Sequence, residues 1–418
     1  MTKILVTRRT FPEAAVALRA SGAEVVIWED ADAPSQADLV KAIADVDGLY
    51  AHITNQVNAE VMDAAPNLKV IAEFGVGYDN IEIAAANERG IAVCNTPGIL
   101  SESTADEAFA LLASMARRTH DLPAMVKRGE WGDFDPLGYL ATDIHHKTLG
   151  IVGMGNIGAE MAKRAAGFNM NVLYFNRNKR DEEFGATYVD SLEEILERSD
   201  YISLHNPLTP ETTNMMSTDQ FKLMKKSAIL INTTRGPVVD QDALYEALKS
   251  GEIAGAALDV TVPEPIPADH PLLTLDNCLI MPHVASATGD TRMKMAMMSV
   301  ENVLGPDPAD VGGLQEMKFI AEYADLHGIL FAPHGTVDGL IGLAAHVQLA
   351  AVLPENYIAF ELPTGKPNWW YDILDGSDKF GVTDSHIDVN EAPGLGITFI
   401  PEEAKKYLRE EDAGFFDD

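Results

Sequence analysis

Apolar and polar positions alternate from the first residues. KILVT (3–7) is a short run with β-branched side chains, and EVVIW (24–28) is a second. Between them FPEAAVALRASG (11–22) has apolar residues at helical spacing and stops at glycine. The pattern continues with a helix around 35–45, a strand at DGLYAHI (47–53), a helix at 58–65 and a strand at KVIAEF (69–74). This βαβα order predicts a parallel sheet with helices on both faces. A longer helix is expected at 102–118, ESTADEAFALLASMARR.

A second, more regular block opens at TLGIVGMG (148–155). Its strands read NVLYF (171–175), YISLH (201–205), AILINT (228–233), GAALDV (255–260) and CLIMPH (278–283), with helical stretches between them. Helix TRMKMAMMSVENVL (291–304) follows, and its Met293, Met295, Met297 and Met298 read as a packing surface. GPDPADVGG (305–313) is linker chemistry, so a boundary is expected near Leu304. The expected fold class is α/β, with two Rossmann-like doubly wound parallel-sheet domains and a C-terminal segment of different character.

The chain has 418 residues, enough for two to four domains at roughly 100–200 residues each. It holds 64 acidic and 31 basic residues, a formal net charge of −33, of which the segment 305–418 carries −15. Such a surface repels phosphate backbones and excludes nucleic acid as a natural partner. A small anionic substrate would need a local cationic pocket. No apolar run reaches the ~18 residues of a membrane span, and MTKILVTRR does not read as a secretory leader. Cys94 and Cys278 cannot make a disulfide scaffold or a four-thiolate metal site and read as core thiols. These features favour the cytosol. His145 and His146, just before a strand, read as loop residues, and no metal site is expected.

GMGNIG places Gly153, Gly155, Asn156, Ile157 and Gly158 between a strand and a helix. Gly153 permits the tight turn, Gly155 lets the backbone approach a pyrophosphate, and Gly158 lets helix and strand pack closely. The helix N-terminus supplies N–H donors to the anion. A bare glycine-rich turn is the alternative, and the strand–turn–helix context favours dinucleotide binding. The next strand ends in Asn176, Arg177, Asn178, Lys179 and Arg180, with no acid for a ribose hydroxyl. Cations there attract a 2′-phosphate, so NADP is the expected cofactor, with NAD possible. The alternative is a solvated loop.

Arg235 in INTTRGPVVD, Glu264 in ALDVTVPEP and His283 in IMPHVASAT lie at or just beyond strand ends in the second block. Ligands of open α/β sheets sit there. A guanidinium could hold a 2-oxo acid and an imidazolium could donate a proton to the nascent alkoxide, with a carboxylate orienting it. Taken singly, the three read equally well as a surface ion pair, a turn acid and a core histidine.

INTTRGPVVDQDAL, GAALDVTVPEPIPADHPLL, NCLIMPHVASAT, KTLGIVGMGNIG, HNPLTPETTNMMS and FGVGYDNI resemble the D-isomer-specific 2-hydroxy acid dehydrogenases over about 1–304. The likeness is greatest to the glyoxylate/hydroxypyruvate reductases. It implies an NAD(P)H-dependent reductase of small 2-oxo acids, glyoxylate or hydroxypyruvate, giving D-2-hydroxy acids. It implies that Arg235 binds the substrate carboxylate and carbonyl, that His283 is the acid–base residue paired with Glu264, and that backbone N–H groups at Val76 and Gly77 hold the carboxylate. It places Thr104, Thr233 and Asp259 at the cofactor, the first and last on its nicotinamide side. It implies a substrate domain of 1–98 plus 286–304, a cofactor domain of 99–285, and a homodimer through the latter.

Residues 305–418 resemble the C-terminal part of the enolase superfamily, mandelate racemase type, in PDPADVGGLQEMKFIAEYADLHGILFAPHG, AAHVQLAAVLPENYIAFELP and APGLGI. That implies a partial βα-barrel, with Asp307, His334 and Glu361 at the dyad and glutamate positions. The earlier strands, lysine bases and Mg²⁺-ligating acids of that superfamily are absent, so a Mg²⁺-dependent dehydratase or racemase activity is the weaker reading. A fusion remnant is favoured. Trp369 and Trp370 read as packed anchors of this segment. A third reading, a non-catalytic dinucleotide sensor, is disfavoured by the retained Arg235, Glu264 and His283.

Overall fold

The β-branched runs of the first block form short parallel strands. In the computed structural model these are β1 (Lys3–Val6), β2 (Glu24–Ile27), β3 (Gly48–Ala51), β4 (Val70–Glu73) and β5 (Ala92–Cys94), in the order β2-β1-β3-β4-β5. Helices α1 (Pro12–Ala20), α2 (Gln36–Ala42), α3 (Ala59–Asp63) and α4 (Ile83–Glu88) connect them. Ser35 and Asn58 start α2 and α3 by accepting from the backbone N–H of Asp38 and Val61. α4 and the three-residue β5 have no counterpart in the sequence reading, because NERGIAVCN is too short to show a period. The structure describes residues 2–30, 32–304, 317–318, 320–322, 339–353, 372–375, 387, 389, 395 and 397–407.

The second sheet has seven parallel strands in the order β12-β11-β10-β9-β6-β7-β8. They are β6 (Thr148–Val152), β7 (Asn171–Phe175), β8 (Thr187–Tyr188), β9 (Tyr201–Leu204), β10 (Ile229–Asn232), β11 (Gly255–Leu258) and β12 (Cys278–Ile280). Long helix α5 (Ser101–Arg117) leads into this sheet through α6 (Leu122–Lys127), and α7 (Asn156–Ala166), α8 (Leu192–Arg198), α9 (Thr218–Leu223) and α10 (Gln241–Ser250) connect its strands. Two apolar clusters cover its faces, one with Leu112, Met161 and Ile231, the other with Ile195, Phe221 and Leu258. Strands buried on both faces read as continuous apolar runs, which is why this block was the more legible.

Helix α11 (Gly289–Leu304) returns to the first sheet. Ala296, Val300 and Val303 pack with Ile4, Val6, Leu18 and Tyr50. A Cβ on Gly48 would meet Val303 at 2.9 Å, so glycine lets the helix lie close on β3. Met295 is buried and Met297 packs against this cluster. His145 and His146 occupy a turn before β6.

Beyond Leu304 the described residues include a helix at Gly339–Ala350 and a two-stranded antiparallel ribbon, Leu374–Asp375 with Thr398–Phe399. Asp307, His334, Glu361, Trp369 and Trp370 lie outside the described residues, as does the 305–313 linker. Among the described residues no helix is long and apolar enough to cross a membrane.

Candidate active site

The glycine-rich turn sits where the second sheet reverses direction, between β6 and β9. Gly153 has φ +97°, and a Cβ there would lie 2.5 Å from the Asn206 nitrogen. A Cβ on Gly158 would lie 2.5 Å from the Gly153 oxygen, whereas one on Gly155 meets nothing within 4 Å. The turn is thus crowded on the protein side and open at Gly155. No side chain caps the start of α7 at Gly155, so its N-terminal N–H groups could take an anion from that open space. Thr233 Oγ1 and Asn206 Oδ1, just past the ends of β10 and β9, are buried without a hydrogen-bond partner. An open anion cradle with orphaned polar atoms beside it fits a dinucleotide.

The cations after β7 divide by role. Asn176 Oδ1 accepts from the Met154 N–H at 2.6 Å, and Arg180 Nη1 donates to the Met154 oxygen at 3.0 Å, so both side chains brace the glycine turn. Lys179 pairs with Glu183 at 3.4 Å. Arg177 is exposed, and its charge acts on Glu211.

Arg235 follows β10. Buried Asn232 fixes this corner, donating to the Arg235 oxygen at 3.0 Å and accepting from the Thr234 N–H at 3.0 Å. A Cβ on Gly236 would lie 2.1 Å from the Thr261 oxygen, so the Arg235 corner and the Glu264 loop meet closely. The Arg235 guanidinium crosses to the first sheet: Nε donates to Asp79 Oδ1 at 2.8 Å, and Nη2 abuts Gly77. The loop after β4 therefore brings Val76 and Gly77 to Arg235. The Val76 oxygen accepts from Asn95 Nδ2 at 2.8 Å, and the Thr96 N–H donates to the Gly75 oxygen at 3.0 Å, which holds the loop from behind.

His283 and Glu264 are 2.8 Å apart, Nδ1 to Oε2. Glu264 Oε1 accepts from the Thr261 N–H at 2.9 Å. Burial raises the Glu264 pKa, but the His283 hydrogen bond and charge, the Thr261 amide and Arg235 outweigh it and hold it below the ordinary value. Glu264 is therefore a carboxylate at neutral pH. With Nδ1 donating to it, Nε2 is the ring nitrogen left for a substrate, and it has no partner among the described residues.

His283 has φ +54° in the left-handed region, which side chains other than glycine rarely adopt. Asp259 holds that turn. Its buried carboxylate accepts from the Val284 and Ala285 N–H groups at 2.7 and 2.8 Å. Burial raises its pKa while those two amides oppose the rise. The sequence pointed Asp259 at the cofactor; the bonds it makes here are to the backbone that carries His283. Thr104 is buried at the start of α5.

Sequence reasoning missed Asp79, Glu73 and Asn80, although FGVGYDNI contains two of them. Glu73 is fully buried, accepts from Asn80 Nδ2 at 3.0 Å and from the Gly75 N–H at 3.3 Å, and its pKa is pushed up to about 7, chiefly by burial. An acid at the end of an apolar strand gives no sign in sequence that it faces inward.

The model for the D-isomer specific 2-hydroxyacid dehydrogenase NAD binding domain matches residues 109–285. A glyoxylate reductase of Korarchaeum cryptofilum is 47% identical over 306 residues, covering 72% of this chain and 92% of that protein. A solved Thermus thermophilus structure is 44% identical with TM-score 0.69, covering 73% of this chain and 96% of that one. The NADPH-dependent glyoxylate/hydroxypyruvate reductase of Sinorhizobium meliloti, solved with NADP and malonate, is 34% identical with TM-score 0.64, covering 72% and 92%. An enolase C-terminal domain-like model matches residues 264–404. It starts earlier than the 305 read from the sequence, yet Glu264 is bonded to His283 and Cys278–Ile280 pairs with β11, so 264–285 is structurally part of the second sheet. The chain is thus an oxidoreductase with a nicotinamide dinucleotide cofactor and belongs to the D-isomer specific 2-hydroxyacid dehydrogenase family.

Proposed function

We propose that the chain reduces small 2-oxo acids of the glyoxylate and hydroxypyruvate type to D-2-hydroxy acids, with NADPH preferred over NADH. The observation that carries this reading is the pairing of His283 with Glu264 at 2.8 Å beside an arginine seated on the Gly77 loop. Arg235 and the N–H groups of Val76 and Gly77 bind the substrate carboxylate, and the guanidinium also polarises the keto oxygen. The reduced nicotinamide supplies the hydride. His283 Nε2 gives its proton to the oxygen that gains charge, and Glu264 stabilises the imidazolium before transfer and orients the ring. Asp259 keeps the His283 turn in its strained conformation. The Gly155 cradle receives the pyrophosphate, with Asn156, Ile157 and Gly158 supplying backbone contacts. Thr104 and Asp259 lie on the nicotinamide side, and Thr233 also contacts the cofactor. Asn176 and Arg180 act by holding the glycine turn, and Arg177 meets the 2′-phosphate.

On this reading 1–98 with 286–304 form the substrate domain and 99–285 the cofactor domain. Two chains pair through the cofactor domain. The support is an exposed apolar segment after α6: Trp131, Phe134, Leu137 and Leu140 are 66–92% exposed, more than a free surface of this size favours. Sedimentation of the parent and of a W131S/F134S variant tests it, with a dimer and a shift toward monomer expected. We place the protein in the cytosol because its two cysteines, Cys94 and Cys278, are too few for a disulfide framework.

Chiral chromatography of glycerate formed from hydroxypyruvate tests the product, and L-glycerate would refute the stereochemical reading. Arg177→Ala tests the cofactor preference: it should cut the NADPH/NADH ratio of kcat/KM by about tenfold or more, because a charge-assisted contact contributes roughly 1.5–3 kcal/mol. Equal use of both cofactors by the parent would contradict the NADPH assignment.

A further inference from the structure

The first sheet has its own point of reversal, between β1 and β3. In open parallel sheets such a point opens a ligand crevice at the carboxyl ends of the strands. Here those ends carry Thr7 and Arg8 after β1 and His52 after β3. Thr7 Oγ1 and His52 Nδ1 lie 3.0 Å apart and tie the two ends together. The His52 ring is 5.1 Å from that of Phe74, which follows β4. Arg292, in the first turns of α11, lays its guanidinium over Phe74 at 5.6 Å. Arg292 therefore covers this aromatic surface, and Arg8, the residue after Thr7, is near enough for its charge to act on His52.

Neither arginine forms an ion pair among the described residues. Arg89, Arg118, Arg164 and Arg235 each hold a carboxylate within 2.8 Å. Arg8 and Arg292 have none within 4.0 Å among the described residues, in a chain with 64 acidic side chains. Arg292 Nε is buried with no hydrogen-bond partner. Asp259, the carboxylate that acts on Arg292, is held by two backbone amides and makes no ion pair with it, so the half-buried guanidinium keeps capacity for an anion that arrives from outside. His52 is no rival for that anion: burial, Arg8 and Arg292 push its pKa down to about 3, so it is neutral.

The position adjoins the reacting centre. Phe74 immediately precedes the Gly75–Gly77 loop that meets Arg235. Asp259, which braces the His283 turn, is the charge that acts on Arg292 from the second sheet. A 2-oxo acid anchored at Arg235 and His283 has its remaining substituent to place, and the unpaired cations lie on the β1–β3 side.

We propose that Arg292, supported by Arg8, forms a subsite for a second anionic group on the substrate, so that the enzyme favours 2-oxo acids ending in a carboxylate or phosphate. The proposal rests on the reductase reading above. It is tested by NADPH oxidation with oxaloacetate and 2-oxobutyrate, which share a four-carbon chain and differ in the terminal acid, and with phosphohydroxypyruvate as the phosphate arm. The parent should show kcat/KM at least tenfold higher for oxaloacetate or phosphohydroxypyruvate than for 2-oxobutyrate, and the better of the two identifies the group. R292M should reduce that ratio to within threefold of unity, R292K should keep most of it, and R8M should lower it partly. A variant that merely folds poorly loses activity on all three substrates alike and leaves the ratio intact. A parent ratio near unity, or a ratio that survives both R292M and R8M, overturns the subsite while glyoxylate turnover leaves the reductase reading standing. No NADPH oxidation with any 2-oxo acid, glyoxylate included, overturns both.

Discussion

Gly77→Ala isolates the contact between the two sheets on which the site depends. Gly77 is outside the left-handed region, so alanine adds no backbone strain, and its methyl is the whole perturbation. That methyl would lie 1.8 Å from Arg235 Nη2 and 2.7 Å from Cζ. Ordinary contact is near 3.5 Å, so the guanidinium must withdraw by well over an ångström. Withdrawal breaks the 2.8 Å bond to Asp79 and carries the carboxylate-binding group out of register with Val76 and Gly77. Loss of one charge-assisted hydrogen bond contributes about 1.5–3 kcal/mol, or roughly 10- to 150-fold in kcat/KM. Misplacement of a substrate-holding group by about 1 Å can cost about 10²-fold by itself. The neighbouring Gly75→Ala is the control, since its Cβ would meet nothing closer than 3.6 Å. Initial rates with varied 2-oxo acid and saturating NADPH, together with NADPH titration by fluorescence, give the comparison. G77A should lose at least 30-fold in kcat/KM, mostly through KM, with NADPH affinity within threefold. A G77A enzyme within threefold of the parent would refute the placement of Arg235 at the substrate.

Glu73 supplies a pH prediction. Its proton is held in the folded state to about pH 7 against an ordinary value of 4.5, so stability falls as pH rises through that interval and the loss is complete above it. The gap corresponds to about 3 kcal/mol, and E73Q should therefore melt several degrees above the parent at pH 8 with the gain fading by pH 4.5; a gain that is independent of pH would contradict the buried-acid account. His283→Ala removes the proton donor and should lower kcat by about 10²–10⁴-fold while NADPH affinity is kept, as single-turnover rates and binding titrations would show. Ending the chain after Pro308 should leave a folded reductase with near-parental kcat/KM, because Ala296, Val300 and Val303 of α11 close the first-sheet core from within 1–304. A truncated chain that cannot be purified folded would show that the remaining residues support that core.

The central strands of the second sheet were legible because they are buried on both faces and apolar throughout, as in ILIN at 229–232 and GAAL at 255–258, whereas the two-residue β8 was not. The glycine turn was legible because each glycine has a steric reason. β5 was not, since three residues carry no period. Arg235, Glu264 and His283 were visible as ionisable residues at strand ends, but only folding shows that Arg235 crosses to Asp79 and that Glu264 bonds His283. Asn176 and Arg180 showed as polar groups for a cofactor; that they hold the Met154 backbone depends on the turn folding back over them. Arg8, His52 and Arg292 come together only through the β1–β3 reversal and the return of α11.

The most direct test of the central claim is NADPH oxidation at 340 nm by the purified full chain with glyoxylate and hydroxypyruvate, run beside the His283→Ala variant. The account predicts substrate-dependent oxidation by the parent that falls by at least a hundredfold in the variant while both bind NADPH. A parent that binds NADPH and oxidises it with neither substrate, or a variant as active as the parent, would contradict it.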